Sequence, residues 1–470
     1  MKKFKILITI GAVLLSTSCK DALKTVPRQS ISAEGALSTL SGVQGLLINV
    51  YNALQQSGYY GRDLIIQSEV LSDNCRITVS NSGRFVNEYS NVFRTHFANY
   101  TISYDMINKS NLVIDNVAGV GDGTQAQKNN ILGQALFLRA LVYFNLVNEY
   151  GYNPQHILNG RDAGVALVLK GVSALSQVTY PARAKVTDVY AQIELDLTTA
   201  ISLLDNTNAK TLVTKAAAQA LRSRVALYNA EWQNTIDMAT AAINANVGTF
   251  VSTATVAGYS SIFNTKNSPE SIFELNYEVS ESLVFNSIQS IYQRLGNSPT
   301  SATGYGDVVP QNNLLNAYEA GDIRKTAMLA PVTKSGEPVF WVQKYAGWGG
   351  SFGVDNIRII RVSEMYLNRA EAYSHLNQDG LAQADVNKIR VRAGLLPTGA
   401  TGAALLALIL NERRIELAYE GHRWFDLVRQ GANIVKDNNT ILFTDTRILA
   451  PIPQADLDVN PQLTQNNGYN

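Results

Sequence analysis

The chain has 470 residues, 46% of them hydrophobic and only 16% charged, with a net charge of +1. That is enough apolar material for a large core and too little charge for a disordered chain. No basic surplus points toward nucleic acid. Tyrosine is abundant, at 22 residues against 14 Phe and 4 Trp, which suits buried packing and also a surface that binds through flat, amphipathic rings.

The first predicted element is a secretory signal over 1–18. Lys2, Lys3 and Lys5 lead into the apolar run Ile6–Leu15 and then Ser16-Thr17-Ser18-Cys19. That run is too short to cross a bilayer, which takes about 20 apolar residues. A Cys at the cut predicts a bacterial lipoprotein with Cys19 as its lipidated first residue, held by several acyl chains without a membrane-spanning helix. Removing 1–18 leaves 36 basic against 38 acidic residues. Lys20-Asp21 resembles a weak form of the export tag on surface lipoproteins, which predicts an anchor on the outer membrane facing the exterior. With Cys19 lipidated, Cys75 has no partner, and it is read as a small buried thiol rather than a reactive one.

Residues 19–41 read as a tether and first turn. The next unit, 42–246, is predicted to be helical: a helix over 42–56, polar loops or short strands over 57–98, a helix near 100–117, and a strongly periodic helix over 125–150 with Ile131, Ala135, Leu138, Val142 and Leu146 on one face. Gly151 and Pro154 end it. Gly119-Val-Gly-Asp-Gly123 is read as the loop before it, because no strand precedes it as a dinucleotide fold would need. Helices follow over 187–205, 214–230 and 233–246, with Thr187 and Thr214 as N-caps. In the last unit, 247–470, the Gly- and Pro-rich stretch 247–355 is read as irregular with a few strands such as Ile272–Tyr277. Helices are predicted again over 357–377, 380–392 and 401–430.

Catalytic signatures are missing. His96, His156, His375 and His422 are scattered, and no His-Glu-x-x-His, Cys-x-x-Cys, phosphate loop or Gly-x-Ser-x-Gly occurs. No cofactor or metal is expected. A carboxylate pair for glycoside hydrolysis meets only in three dimensions and stays open. The dense run from Glu412 through Glu416, Glu420, Arg423, Asp426 and Arg429 is read as a salt-bridge lattice between helices in preference to a catalytic or anion site.

A repeat runs through the helices. Gln134-Ala-Leu-x-x-Arg139-x-x-x-Tyr143 returns as Gln219-Ala-Leu-x-x-Arg224-x-x-x-Tyr228, and Arg369-x-x-x-Tyr373 repeats its end. Arg and Tyr four apart share a helix face. Helix pairs with Ala at close contacts predict a mainly α, tetratricopeptide-like scaffold with large irregular insertions.

Several stretches, in order, resemble one family, SusD/RagB: Gly133–Gly151, Ala216–Trp232, Arg361–Tyr373, Asn387-x-x-Arg390-x-Arg392-Ala-Gly394, Glu412–Arg429, and the tail Pro451-Ile-Pro453, Asn460-Pro461 and Gln465-Asn-x-Gly468-Tyr469. Tyr100 stands where the family often has Trp, and 57–98 and 280–355 match poorly. The resemblance implies a lipid-anchored nutrient-binding protein, not an enzyme. Such a protein is the lid of a SusC-like TonB-dependent outer-membrane transporter and captures an oligosaccharide or peptide without chemistry. It implies that the helical repeats meet the transporter and the insertions bind the ligand.

A sugar ring offers an apolar face and a hydroxyl edge, so exposed aromatics beside Asn, Asp or Arg suit it. The candidates are Tyr59, Tyr60, Arg84, Phe85, Tyr305, Trp348 and Phe352, each weighed against an ordinary packing role. Trp341 and Tyr345 are read as structural. The alternatives are a surface glycan-degrading enzyme, which needs two facing carboxylates, and a helical-repeat adaptor, which needs an exposed apolar groove.

Overall fold

The structure is a computed structural model that describes residues 35, 37–294, 304–347, 351–437 and 439–469. Cys19 and Trp348 lie outside the described residues.

The N-terminal helices are α1 (Leu40–Leu54), α2 (Asp63–Leu71), α3 (Tyr100–Asn116), α4 (Gln125–Tyr150), α5 (Val186–Leu203), α6 (Lys215–Tyr228) and α7 (Trp232–Asn244). The C-terminal ones are α8 (Val362–His375), α9 (Asp379–Arg392), α10 (Gly402–Glu416) and α11 (Arg423–Arg429). The fold is mainly helical, as the periodicity predicts. Neighbouring helices pack as pairs, α4 on α5, α6 on α7 and α8 on α9.

α4 is the centre. Thr124 and Gln127 close a capping box at its start, with Thr124 N–H donating to Gln127 Oε1 at 2.8 Å. The helix is long and apolar enough to cross a membrane, but 89% of its most apolar window is buried inside the fold. It is therefore a core helix.

The repeated Arg has one physical meaning at two of its three positions. Arg139 on α4 makes a two-pronged pair with Asp196 on α5 (2.7 and 2.6 Å), and Arg369 on α8 does the same with Asp385 on α9 (2.6 and 2.8 Å). Arg224 on α6 reaches instead across to Glu364 on α8 (2.6 Å twice), joining two helix pairs. Fork-to-fork pairing fixes the angle between helices as well as attracting them.

Three expectations are corrected. Residues 63–71, read as loop, form α2, in which every residue after Asp63 is buried. Residues 357–361, read as the start of a helix, form a strand. Thr187 sits inside α5, whose cap is Lys185, whereas Thr214 does cap α6, accepting from Ala217 N–H at 3.1 Å.

The strands of three residues or more are still short: β1 (Cys75–Ile77), β2 (Ala163–Ala166), β3 (Arg183–Lys185), β4 (Ser271–Leu275), β5 (Val308–Pro310), β6 (Leu329–Lys334), β7 (Glu337–Val342) and β8 (Ile357–Arg361). They pair antiparallel as β1–β5, β2–β3, β4–β8 and β6–β7. Cys75 on β1 is fully buried and burial pushes its thiol well up, so it is the inert thiol expected.

The acid–base run on α10 and α11 is the expected lattice. Glu416 receives Arg361 and Arg392, each at 2.7 Å, and Glu420 receives Arg361 (2.8 Å) and Lys344 (2.6 Å). Asp426 holds Arg413 and Arg429 at 2.9 Å each. All these side chains are buried. The surrounding guanidinium groups hold the Glu416 and Asp426 carboxyls far below the usual range against the opposing effect of burial.

Candidate functional site

The irregular insertions converge on one surface. β1 runs antiparallel to β5, with Ile77 opposite Val308, which brings the loop after β1 beside the segment before β5. Arg84 is on the first and Tyr305 on the second. The Arg84 guanidinium carbon lies 4.1 Å from the Tyr305 ring centroid, close enough for a cation–π contact. Arg84 forms no ion pair among the described residues.

Two further rings complete the platform. Phe285 lies 5.9 Å from Tyr305 and 6.1 Å from Phe352, centroid to centroid. Phe285 is 44% exposed, so its ring is open to a ligand. Behind Arg84, Arg62 stands 5.7 Å over the Phe85 ring, pairs with Asp63 at 2.6 Å and donates to Asn286 Oδ1 at 3.0 Å. A groove of about 190 Å³, lined by Asn52, Gln55, Gln56, Tyr277, Glu281 and Leu283, borders the loop that carries Phe285.

A buried ion pair sets this geometry from below. Asp307 Oδ1 accepts from Lys334 Nζ at 2.7 Å, and its Oδ2 accepts from both the N–H (3.0 Å) and the hydroxyl of Ser82. Lys334 also donates to Gly306 O and Thr78 Oγ1, each at 3.0 Å. The pair thus ties the Arg84 loop, the Tyr305 segment and the β6–β7 hairpin together.

The loop of Phe352 is closed just as firmly. Ser282 Oγ donates to Phe352 O at 2.8 Å, and Gly353 N–H donates to Gln289 Oε1 at 2.7 Å. Gly353 has φ +72°, and a Cβ there would meet Ser282 Oγ and Val284 N at 3.0 Å, so glycine alone lets the two loops touch. Two of the eleven described non-glycine residues with positive φ sit here. Phe85 (φ 57°) and Val284 (φ 48°) are left-handed although neither is glycine. For a β-branched residue this is a genuine outlier, of the kind that clusters at binding sites.

Of the residues singled out in the sequence, the structure brings together Arg84, Tyr305 and Phe352, with the buried ring of Phe85 behind them. It does not bring Tyr59 and Tyr60 to the surface. Tyr59 is fully buried, and Asn145 Nδ2 donates to both hydroxyls, at 2.9 and 3.0 Å. Tyr60 borders an internal cavity of about 40 Å³, room for little more than a water at about 30 Å³ each. These two rings are core, because α2 packs over the loop that carries them. Tyr345 is buried, as a structural residue should be. Sequence reasoning missed Phe285; the apolar triplet Leu283-Val284-Phe285 inside a serine-rich loop was its signal.

Known proteins resemble the chain along its length. Residues 339–469 match the SusD family, and residues 29–227 match a family described as starch-binding associating with outer membrane. The SusD-like protein P38 of Formosa agariphila is 26% identical, with all of both chains covered. A crystal structure of a putative sugar binding protein from Bacteroides vulgatus shares 28% identity at a TM-score of 0.79, covering 92% of this chain and 99% of that one. A SusD superfamily structure from Bacteroides thetaiotaomicron shares 26% identity at the same TM-score, covering 91% and 99%.

Proposed function

The chain is a SusD/RagB family protein, and on that premise we propose that it captures an oligosaccharide at the cell surface on the platform of Phe285, Tyr305 and Phe352. The family's proteins bind and do not catalyse, which sets the glycan-degrading alternative aside. The family profile over 29–227 carries association with the outer membrane in its description. A lipid anchor at Cys19 and delivery into a SusC-like TonB-dependent transporter complete the reading.

The observation that carries it is the cluster itself: three rings and a guanidinium without an acidic partner, presented on irregular loops by a stiff helical scaffold. Rings accept the apolar face of a sugar, and the Arg84 N–H groups reach its hydroxyl edge. The adjoining groove and its amides offer room for a second unit. The sugar-binding name of the Bacteroides vulgatus relative supports the same ligand class.

Titration of the soluble chain beginning after Cys19 with a panel of oligosaccharides tests the proposal. Saturable binding, with the glycan recovered intact and affinity lost on Phe285→Ala, is the expected result. Binding that survives removal of all three rings, or selective binding of peptides, would overturn it.

A further inference from the structure

A second cavity lies where the C-terminal tail folds back on the body. Its volume is about 300 Å³, and Tyr152, Arg161, Arg183, Thr464, Asn466 and Asn467 are among the residues that line it. Water takes about 30 Å³ per molecule, so the space suits a sugar-sized body and exceeds a bare ion.

The tail motif Gln465-Asn-x-Gly468-Tyr469 builds this cavity, and the platform does not use it. Gln465 clamps Ile452 through both its amide atoms (2.8 Å each), and Asn466 Nδ2 donates to Tyr150 O at 2.9 Å and Ala450 O at 2.7 Å. Below them, Arg183 places every N–H on an oxygen: Gly164 O, Thr464 O, Asn466 Oδ1, Tyr150 O and Ala163 O, at 2.7 to 3.1 Å. None of these acceptors is a carboxylate. Burial accordingly pushes the guanidinium down to about 10.

Two arginines, Arg161 and Arg183, and one acid, Asp162, line the cavity. The nearby acids are already matched, Asp162 by Lys185 at 2.9 Å and Asp445 by Arg447 at 2.6 Å. Arg161 and Arg183 have no carboxylate partner among the described residues. Arg161 stands in the wall against the Tyr152 hydroxyl. With the Asn467 amide oriented so that its oxygen faces the guanidinium, Arg161 donates to it at 2.7 and 3.1 Å. An arginine carries five N–H groups, more than the Asn467 oxygen and the Tyr152 hydroxyl engage.

We propose that this cavity is a second binding site, for an acidic sugar unit whose carboxylate or sulfate meets the guanidinium of Arg161 while its hydroxyls meet the surrounding amides and threonines. Arg161 supplies the planar fork that matches a two-oxygen anion. Arg183 adds fixed positive charge from beneath. The site stands independently of the Phe285 platform, since its elements and chemistry are different.

The test is ligand-observed NMR titration of the chain beginning after Cys19 with D-galacturonate, D-galactose and sodium sulfate, repeated on Arg161→Gln, Arg161→Lys and Phe285→Ala. Arg161 is half-buried at the surface, and melting curves identify any variant that fails to fold; Arg161→Lys, which keeps the charge, serves if Arg161→Gln does fail. Galacturonate should bind at least about tenfold tighter than galactose, the size of one charge-assisted bond. It should weaken about as much on Arg161→Gln, weaken less on Arg161→Lys, and be unchanged on Phe285→Ala. Equal binding of galactose, indifference to both Arg161 variants, sulfate binding as tight as galacturonate, or no binding of galacturonate would each overturn the proposal.

Discussion

The guanidinium of Arg84 rests on the ring of Tyr305, 4.1 Å from its centroid, although the two residues come from distant parts of the chain. The stack exists because β1 pairs with β5 and because Asp307 holds Ser82 and Lys334 at once. It occupies ring surface that a ligand would otherwise use, so the free edge of Tyr305, Phe285 and Phe352 carries the apolar contact.

Arg84 also offers the N–H groups for the hydroxyl edge of the sugar, so removing it should weaken glycan binding without unfolding the chain. A hydrogen bond from a charged donor is worth about 1.5–3 kcal/mol, so Arg84→Ala should raise Kd by about 10- to 100-fold. Calorimetry checks the affinity and a melting curve the stability. Asp307→Asn should weaken binding too, through the loosened Ser82 loop.

Val284 offers a cleaner separation of stability from function. A left-handed β-branched residue costs about 1–2 kcal/mol, and Val284→Gly relieves this. The same change frees the backbone that aims Phe285. The variant should melt at an equal or higher temperature and bind glycan more weakly; tighter binding would remove the role assigned to the strain.

Glu149 gives a pH signature. It is buried on α4, accepts from Asn99 Nδ2 at 2.9 Å, and burial raises its carboxyl from 4.5 to about 8. Between those values the folded chain keeps a proton that the unfolded chain has lost. Its ionisation therefore erodes stability as pH rises from about 4.5 toward 8. Glu69, raised to about 7 by burial, acts in the same direction. Glu149→Gln should leave stability near pH 4.5 little changed and raise it at pH 8, by on the order of a few kcal/mol. Chemical denaturation at the two pH values measures the difference.

The ionic lattice should be intolerant of single cuts. Glu416 is fully buried among Arg324, Arg361 and Arg392. Glu416→Gln leaves those cations short of a partner and should cost about 3–5 kcal/mol, the usual penalty for breaking a buried pair from one side. Lys109→Ala, which cuts the exposed Lys109–Asp105 pair, should cost less than about 1 kcal/mol.

How much of this was legible in the sequence depended on periodicity. α4, α6 and α9 carry apolar residues at helical spacing and were readable to within a residue or two. α2 was not, because nearly all of it is buried and no polar face marks the 3.6-residue period. β8 was misread because Ile-Arg-Ile-Ile-Arg runs into α8 without Gly or Pro, and its arginines are buried in ion pairs or on carbonyls. The hidden α2 also explains the break between α10 and α11: a Cβ on Gly421 (φ +85°) would meet Ile65 Cα at 3.1 Å. At the site, residue type picked out Arg84, Tyr305 and Phe352. It gave Tyr59 and Tyr60 equal weight, since nothing in their own loop announces the helix that covers them.

The most direct test of capture on the aromatic platform is isothermal titration calorimetry of the wild-type chain beginning after Cys19 and of its Phe285→Ala/Tyr305→Ala/Phe352→Ala variant, with each oligosaccharide of a plant, host and microbial panel. Capture on the platform requires saturable binding of at least one glycan by the wild type, intact glycan afterwards, and no measurable heat with the triple variant. Equal affinity in the two proteins, or shortened glycan, would contradict it.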